Sequence, residues 1–366
     1  MSADIGVAVV GFGLGGRVFH APFVSAVPGL KLEVIVQRTG DEAAKAYPFA
    51  TTGVRVLRSL EEALGDAAVR LVVVSTPNET HYALAKAALE AGKHVVIDKP
   101  FAATSAQAQE LVDLAAKKGL KVVPFHNRRW DGDFLTVRKL IADEAVGRLV
   151  TFESHFDRFR PMPRENTWKE VGDDANGILF DLGPHLVDQC LALFGAPEGI
   201  TASVRKDRDQ TDIEDAFDIT LHYEIDGRGL LAYCRTSWLA CDNSPRFLLH
   251  GTHGSFRKYG LDPQEPALVG GAKVPRLGSG DNWLEEPKAM WGTLSIAPNP
   301  MDPGTLVKSE VKTLPGDYRG FYANVRDAIN GTAEQAVKAE DGLHVIKLLE
   351  MARVSSAEGR TLRVEF

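Results

Sequence analysis

The first third of the chain alternates short apolar runs with longer amphipathic segments. The runs are rich in β-branched residues and almost continuously apolar: IGVAVV, LEVIVQ, RLVVVS, HVVID and KVVPF. Segments such as ETHYALAKAALEAG and SAQAQELVDLAAKKG lie between them and show helical periodicity. Because strands that are covered by helices on both faces are apolar throughout, this alternation predicts βαβ units and a doubly wound parallel sheet.

The pattern changes at Leu149, after a segment, WDGDFLTVRKLIADEAVG, that predicts a helix. Longer runs with partial period-two alternation follow and predict a second, mostly antiparallel sheet: LVTFESHFD, AFDITLHYEI, GLLAYCRTSW and RFLLHGTHGSF. Residues 261–317 are rich in Pro and Gly, which predicts loops over the edge of that sheet. The closing patterns, GFYANVRDAIN and GLHVIKLLEMARVSSAEG, predict two helices.

Composition narrows the class of protein. The chain is 44% hydrophobic and 25% charged, and it has no apolar run of the roughly 18 residues that a membrane span requires. No basic segment precedes the first apolar run, and Cys190, Cys234 and Cys241 form no CxxC pair, so we expect a cytoplasmic protein. The net charge of −7 argues against a general nucleic-acid binder and favours small-molecule partners.

A glycine-rich turn follows the first apolar run. In VVGFGLGGRV, Gly11, Gly13 and Gly16 have GxGxxG spacing between a predicted strand and a predicted helix. The first glycine would allow a tight turn, the second a close approach of a pyrophosphate, and the third close packing of helix and strand. At the first turn of a βαβ chain this motif predicts a Rossmann domain that binds a dinucleotide. The alternative is a purely structural turn.

The residue that selects the ribose should lie about 20 residues further on, at the end of the second strand. That position holds Gln37, followed by Arg38, where NAD-binding domains place a carboxylate. A guanidinium can pair with a 2′-phosphate, so NADP is favoured as cofactor and NAD is the alternative. Arg38 has a simpler interpretation as a solvated loop cation.

Three further motifs indicate a family. STPNETH follows the third long strand, DKPF follows the next, and NGILFDLGPHLVD opens a helix after Gly177. With VVGFGLGG they resemble the glucose-fructose oxidoreductase and inositol dehydrogenase family, called the Gfo/Idh/MocA family. HNRRWDGDF and the arginine after the second strand are similar to its NADP-linked scyllo-inositol dehydrogenase branch. The resemblance implies reversible hydride transfer between a polyol or sugar hydroxyl and nicotinamide, in homodimers or homotetramers formed through the C-terminal sheet.

The resemblance also implies site residues. Three positions match the catalytic lysine, acid and histidine of the family: Lys99, Asp181 and His185. Substrate contacts are usual where this chain has Asn127 and Arg128. The family more often has Glu where this chain has Asp98. The cofactor-binding loop would consist of Ser75, Thr76, Pro77, Asn78 and His81, and Lys99 would lie beside the cofactor.

Some of these residues are candidates for ligand binding even without the family resemblance. Open α/β sheets bind ligands outside the carboxyl ends of their strands, where Lys99 and residues 126–128 are predicted to lie. A lysine there can hold a substrate oxygen, although a surface-loop lysine is the ordinary case. For His81 and His126 taken alone, a hydrogen-bonded structural histidine is commoner than a ligand contact.

His185 stands between Asp181 and Asp188 in an otherwise apolar run, DLGPHLVDQC. An imidazole titrates near neutral pH and can take the proton that a hydroxyl releases as its carbon is oxidised. Asp181 would then fix the tautomer of the ring, whereas Asp188 would hold a neighbouring loop or helix end. The alternative is a core histidine paired with a nearby acid.

A basic and aromatic stretch, FDRFRPMPRENTWKE, precedes that helix and includes Arg158, Arg160, Arg164 and Trp168. The arginines could bond substrate hydroxyls or a carboxylate while Trp168 covers a ring face. An exposed loop and a subunit contact are equally open alternatives. Of this stretch, Trp168 is the residue that we predict to bind substrate.

Taken together, the sequence predicts an α/β Rossmann domain over residues 1–126. An α+β domain for substrate binding and oligomerisation would follow over residues 127–366, its C-terminal helices being candidates for packing back on the first domain. The expected activity is an NADP-dependent polyol or sugar dehydrogenase. One alternative is a dinucleotide-binding regulator without turnover. Another is a metal site built from Asp181, His185 and His126, which the lack of a cysteine pair and of an HExxH pattern argues against, so no metal is expected.

Overall fold

The structure, a computed structural model, describes residues 4–40, 53–165, 167, 170, 175–242, 244–280, 283–299 and 301–366. It contains two compact units. The first consists of Met1–Asn127, Gln264–Trp283 and Asp317–Ile346. The second consists of Arg128–Pro263, Leu284–Gly316 and Lys347–Phe366.

The described strands and helices follow in chain order. The strands are β1 (Ile5–Val10), β2 (Leu30–Val36), β3 (Arg55–Leu57), β4 (Val69–Val74), β5 (His94–Ile97), β6 (Val122–Pro124), β7 (Leu149–His155), β8 (Gly199–Arg205), β9 (Ala216–Ile225), β10 (Arg228–Ser237), β11 (Phe247–Gly251), β12 (Gly254–Lys258), β13 (Gly292–Ile296), β14 (Val307–Val311) and β15 (Leu362–Arg363). The helices are α1 (Ala21–Ala26), α2 (Leu60–Leu64), α3 (His81–Glu90), α4 (Ser105–Lys118), α5 (Gly132–Ala142), α6 (Ile178–Phe194), α7 (Gln264–Val269), α8 (Arg319–Ile329) and α9 (Ala339–Glu358).

A parallel sheet forms the centre of the first unit. Its six described strands lie in the order β3-β2-β1-β4-β5-β6, and every neighbouring pair is parallel. All six residues of β1 are buried, and in β4 only Arg70 is exposed. The continuously apolar runs are therefore strands covered on both faces, and the predicted doubly wound Rossmann fold is confirmed.

The helices of the first unit have ends that the sequence encodes locally. In α4 the side chain of Thr104 accepts a hydrogen bond from the backbone N–H of Gln107, which caps the first turn. Gly119 ends this helix with a φ of +64°, a left-handed conformation that glycine adopts without strain. Late in the chain, α8 packs against α1 and presents Phe321 to Phe125, with ring centroids 4.8 Å apart.

A large, mostly antiparallel sheet forms the second unit. The described strands lie in the order β14-β13-β12-β11-β7-β10-β9-β8-β15, and among them β7 and β10 are parallel while the other assigned pairs are antiparallel. Residues of β9 and β10 alternate between buried and partly exposed positions, and α6 packs against both strands. The predicted α+β architecture of the C-terminal half is confirmed.

The prediction that residues 261–317 form only loops is wrong. This segment includes α7, and its strands β13 and β14 extend the sheet beyond β12. The sequence VKSEV of β14 is almost entirely exposed and therefore has no alternation of buried apolar residues to detect. Charged side chains on an edge strand protect it from pairing with other chains, and they also hide it from pattern analysis.

Within the described ranges, no helix has the length and apolar character that crossing a membrane would require.

Candidate active site

The glycine-rich turn in the first unit has the geometry that its spacing predicts. Gly11 has a φ of +90°, and a Cβ on it would lie 2.2 Å from the carbonyl oxygen of Ser75. A Cβ on Gly16 would lie 2.1 Å from the carbonyl oxygen of Gly11, so a side chain at either position would collide with backbone. A Cβ on Gly13 would meet nothing within 4 Å. The turn is thus closed at its base and open at Gly13, which fits the approach of a pyrophosphate.

The position predicted to select the ribose lies at the carboxyl end of β2. Gln37 continues that strand by donating its backbone N–H to the carbonyl oxygen of Leu57, and the side chain of Arg38 is exposed. Arg58, which follows β3, donates hydrogen bonds to the carbonyl oxygens of Gln37 (3.1 Å) and Gly40 (2.7 Å). Two guanidinium groups therefore occupy this end of the sheet. Only the guanidinium of Arg38 was predicted from the sequence.

The loop after β4 contains the predicted cofactor-binding residues Ser75 to Asn78. The Thr76 and Thr80 hydroxyl groups lie 2.6 Å apart, and the Thr80 hydroxyl donates to the carbonyl oxygen of Pro77. A short 3₁₀ turn, Asn78–Thr80, leads directly into α3. These bonds fix the loop beside the glycine-rich turn, because Ser75 N–H donates to the carbonyl oxygen of Val10 at the end of β1.

His81 braces that loop. Its ring is buried, with Nδ1 2.8 Å from the carbonyl oxygen of Pro100 and Nε2 2.9 Å from that of Thr76. The imidazole therefore joins the loop after β4 to the segment after β5. This geometry supports a role in shaping the cofactor loop, in which the ring nitrogens bond protein oxygens.

Asp98 and Lys99 follow β5 at the same edge of the sheet. One carboxylate oxygen of Asp98 accepts the backbone N–H of Lys99 (2.8 Å), and the other accepts the hydroxyl of Ser75 (3.1 Å). His20 Nε2 lies 3.1 Å from that second oxygen. Burial alone would raise the pKa of Asp98, but the hydrogen bond and charge of His20, with the charges of Lys99 and His81, hold that pKa well below its ordinary value. Asp98 is therefore a carboxylate throughout the physiological range.

The segment after β6 leads from the first unit into the second. His126 and Asn127 are buried at the end of the first unit. In the second unit Arg128 is also buried, donates to Asp131 Oδ2 (3.2 Å) and stacks over Phe156, with its Cζ 4.8 Å from the ring centroid.

Asp188 pairs with the next arginine of this turn. Arg129 bonds both carboxylate oxygens of Asp188, through Nε (2.9 Å) and Nη2 (2.6 Å). Such a two-point ion pair fixes a turn against a helix. It agrees with the interpretation of Asp188 as a residue that holds a neighbouring segment.

Asp181 and His185 lie on α6 in the second unit. This helix is continuous from Ile178 to Phe194, so these residues are one turn apart on the same face. His185 is buried, and its ring is stacked at 25° to that of Phe156, with centroids 6.5 Å apart. Asp181 lies in the first helical turn, where the helix dipole favours a negative charge.

An arginine-rich strand extension accompanies α6. Beyond β7 the chain continues to pair with β10 and the segment after it, since the N–H groups of Phe156, Arg158 and Arg160 donate to the carbonyl oxygens of Arg235, Ser237 and Trp238. Alternation along a strand places those three side chains on one face. The Cζ of Arg158 lies 5.2 Å from the centroid of Phe156. Among the described residues, neither Arg158 nor Arg160 forms an ion pair within 4.0 Å.

The charges around Arg160 locate this extension near Asp181. Burial lowers the pKa of Arg160, the neighbouring charges of Arg158 and Arg164 lower it further, and Asp181 and Glu170 oppose the change. Along this extension, Phe156 stacks against His185, and Arg160 lies within electrostatic range of Asp181. The extension and α6 together present two guanidinium groups, a carboxylate and an imidazole.

The rest of the predicted arginine and tryptophan stretch, the predicted absence of a metal site and the three cysteines concern other parts of the structure. Trp168 lies outside the described residues, and Arg164 is exposed, with its Nε 3.9 Å from Glu170 Oε1. In the part of the chain that the structure describes, no group of three or more His, Cys, Asp or Glu side chains is arranged to hold a metal ion. Cys190, Cys234 and Cys241 are free thiols.

Two family models match the two halves of the chain. The model described as "Oxidoreductase family, NAD-binding Rossmann fold" matches residues 5–126, and that described as "Oxidoreductase family, C-terminal alpha/beta domain" matches residues 138–366. The chain belongs to the Gfo/Idh/MocA family of oxidoreductases. The family resemblance inferred from the four motifs is confirmed.

Individual members of the family align along the whole chain. The oxidoreductase YdgJ of Escherichia coli (strain K12) is 40% identical over 362 residues, 99% of each protein. The Bacillus subtilis (strain 168) protein named scyllo-inositol 2-dehydrogenase (NADP(+)) IolW is 36% identical, over 99% of this chain and 96% of that protein. The structure of the oxidoreductase yvaA from Bacillus subtilis superposes with a TM-score of 0.91 at 34% identity, over 100% of both chains.

Besides Arg58, four residues at these sites were not predicted from the sequence. His20 and Tyr322 meet in the first unit, where His20 Nδ1 lies 2.7 Å from the Tyr322 hydroxyl. Phe156 and Arg246 meet in the second, with the Arg246 Cζ 5.6 Å from the Phe156 centroid. Only His20 has a local signal, because it follows the glycine-rich turn in VFHAPF.

Proposed function

We propose that this oxidoreductase transfers a hydride between a polyol or sugar hydroxyl, inositol-like in its oxygen pattern, and a nicotinamide cofactor, with NADP preferred. The observation that carries the proposal is the position of Lys99 at the carboxyl end of β5. It lies at the sheet edge that also holds the glycine-rich turn and the Ser75–Asn78 loop. The name of the relative IolW, an NADP(+)-linked scyllo-inositol dehydrogenase, supports both the substrate class and the cofactor.

The residues of the first unit fit a dinucleotide. Gly11, Gly13 and Gly16 would receive the pyrophosphate at the start of the helical turn Gly15–His20. Ser75, Thr76, Pro77, Asn78 and the bracing His81 would form the loop beside the nicotinamide half. When bound, the oxidised cofactor would supply a hydride acceptor for a carbon that carries a hydroxyl. We propose that residues 1–126 perform this binding, and that residues 127–366 bind the substrate and form the subunit interface of a homodimer or homotetramer.

In this proposal three side chains carry out proton transfer and charge stabilisation. The Lys99 ammonium holds the reacting oxygen and stabilises the charge that develops on it. His185 takes the hydroxyl proton, and Asp181, one helical turn away, orients the ring and stabilises the imidazolium that forms. The assignment of Asp181 and His185 is supported by their shared face on α6 and by their match to the family motif.

A polar substrate suits the second unit. Arg158 and Arg160 are half-buried, and among the described residues they have no ion-pair partner that would occupy their donors. Guanidinium groups have five N–H donors in a fixed plane, which suits several adjacent hydroxyl groups. Asn127 and Arg128 are proposed to add substrate contacts, as is Trp168. The free thiols support a reducing compartment, and we propose the cytoplasm.

The direct test of function is a screen of inositols, other polyols and aldoses with NADP and with NAD, followed by nicotinamide absorbance. We expect turnover with at least one compound and a higher kcat/KM with NADP. Chelator treatment should leave that turnover unchanged. Tight NADPH binding without turnover on any compound would instead favour a dinucleotide-binding regulator.

Cofactor preference has its own test. Arg38→Ala should weaken NADPH binding by about 1.5–3 kcal/mol, the cost of a lost charge-assisted contact with phosphate. We expect the lower end of that range, because the Arg38 side chain is exposed. NADH binding should change little, since NADH has no 2′-phosphate.

The measurement is the dissociation constant of each reduced cofactor, followed by nicotinamide fluorescence. Arg70→Ala removes another exposed arginine of the same unit and is the control. If Arg38→Ala weakens both cofactors equally, the guanidinium does not select the 2′-phosphate and the proposed preference for NADP loses its basis.

A further inference from the structure

A buried chain of hydrogen bonds runs through the first unit from α8 to the active-site edge of the sheet. The Tyr322 hydroxyl lies 2.7 Å from His20 Nδ1, and His20 Nε2 lies 3.1 Å from Asp98 Oδ2. The side chains of His20 and Tyr322 are completely buried. The three residues come from distant parts of the sequence, and only Asp98 was noted from the sequence, as a departure from the family pattern.

The chemistry of the groups fixes the direction of the bond between His20 and Asp98. A carboxylate only accepts, so His20 Nε2 must carry a proton and donate it to Asp98. With a proton on Nε2, Nδ1 accepts from the Tyr322 hydroxyl when the ring is neutral and donates to the hydroxyl oxygen when the ring is charged. Burial raises the pKa of Tyr322 well above its ordinary value, and the charge of Asp98 raises it further, so this hydroxyl keeps its proton and can serve either bond.

Asp98 connects the chain to three parts of the proposed site. It accepts the Ser75 hydroxyl, from the cofactor loop, and the backbone N–H of Lys99. A Cβ on Gly15 would lie 2.9 Å from Asp98 Oδ2, so the glycine-rich turn lies directly against this carboxylate. A largely buried carboxylate is costly unless donors and positive charge surround it, and His20, Ser75, Lys99 and His81 provide them.

We propose that Tyr322, His20 and Asp98 form a positioning chain that fixes the Asp98 carboxylate beside Lys99 and thereby holds the Lys99 ammonium in place for the reacting oxygen. The inference rests on the proposed function, because it assigns these residues to the alignment of the proposed catalytic lysine. None of the three residues needs to touch the substrate. Asp98 acts on Lys99 through its charge and its backbone contact, and His20 and Tyr322 act through Asp98.

The first experiment does not depend on turnover. The full-length protein is treated with a limiting amount of acetic anhydride at one pH, and mass spectrometry compares acetylation of Lys99 with that of the exposed Lys117. Asp98→Asn and His20→Gln should raise the Lys99-to-Lys117 ratio about three- to tenfold, because the first variant removes the carboxylate beside Lys99 and the second removes the ring that holds it there, which leaves the lysine less restrained and more accessible to the reagent. Asp98→Glu retains the carboxylate and should keep the ratio near that of the unsubstituted protein.

The second experiment uses kinetics with a polyol that the screen identifies. Asp98→Asn and His20→Gln should lower kcat about 10- to 100-fold while KM for the polyol stays within about twofold, since the chain aligns a group that acts in the transition state. Tyr322→Phe should lower kcat about three- to tenfold. It keeps the ring against Phe125 and Phe321, with centroids 6.2 and 5.2 Å apart, so the fold should be retained. Asp98→Glu should restore most of the activity.

Tyr223→Phe is the matched control, because it removes another buried hydroxyl that has no hydrogen-bond partner among the described residues. It should change neither the acetylation ratio nor kcat. An unchanged acetylation ratio in both Asp98→Asn and His20→Gln, or a normal kcat in Asp98→Asn and Tyr322→Phe, overturns the positioning chain while leaving the proposed function intact. A raised ratio in a protein that oxidises no polyol would mean that the proposed function has failed and that Asp98 still positions Lys99.

Discussion

Lys99→Met should leave a folded protein that binds NADPH normally and turns over about two to four orders of magnitude more slowly, the range for losing a positioned charge-stabilising or proton-transfer group. Methionine keeps an unbranched stem of similar length and removes only the ammonium. The backbone N–H of Lys99 still bonds Asp98, so the segment after β5 should keep its conformation. The loss corresponds to about 2.7–5.5 kcal/mol of transition-state stabilisation.

The measurements are kcat with a polyol identified in the screen, the NADPH dissociation constant and the thermal midpoint. Lys117→Met makes the same substitution on the exposed end of α4 and should behave like the unsubstituted protein. A folded Lys99→Met protein with near-normal kcat would remove Lys99 from the catalytic set. Lost NADPH binding with normal folding would make it a cofactor-binding residue only.

Local patterns were sufficient to predict the first sheet. Continuous burial of β1 and of residues 71–74 in β4 required apolar residues at successive positions, and that signal does not depend on which strands become neighbours. Local patterns could not predict the order of the strands or the edge strand β14. The residues of β14 are almost all exposed, and among the described strands it joins the sheet through its pairing with β13. Its position depends on contacts that no local window contains.

In the candidate site, too, some residues have a local sequence signal and others depend on distant contacts. Gly11 and Gly16 are fixed by contacts within a single βα turn and its neighbouring loop, so their spacing alone was enough to predict the geometry of the turn. His20 contacts Tyr322, 302 residues away, and no periodicity links such positions. The arginine stretch was ambiguous for a related reason, since the face that Arg158 occupies depends on pairing of its backbone with Ser237.

His185→Ala should lower kcat by about two to four orders of magnitude with little change in NADPH affinity, because it removes the proposed proton acceptor. The ring stacks against Phe156 on the sheet of the second unit, so some loss of stability is also expected. Thermal unfolding must therefore accompany the kinetics. His250→Ala, at an exposed histidine of the same unit, is the matched control and should retain normal kcat and stability.

Asp181→Asn distinguishes an oriented base from a structural pair and does so through pH. During oxidation the imidazole must be neutral to accept a proton, so kcat rises as pH increases through the pKa of the base. A nearby carboxylate stabilises the imidazolium and raises that pKa, and its removal should therefore move the acid limb of the kcat profile to lower pH. The weaker and less well oriented base should also lower the plateau. If both variants unfold, His185 is a core histidine and the proton acceptor must be sought elsewhere. The same conclusion follows if His185→Ala turns over normally while Asp181→Asn leaves the acid limb and the plateau of the kcat profile unchanged.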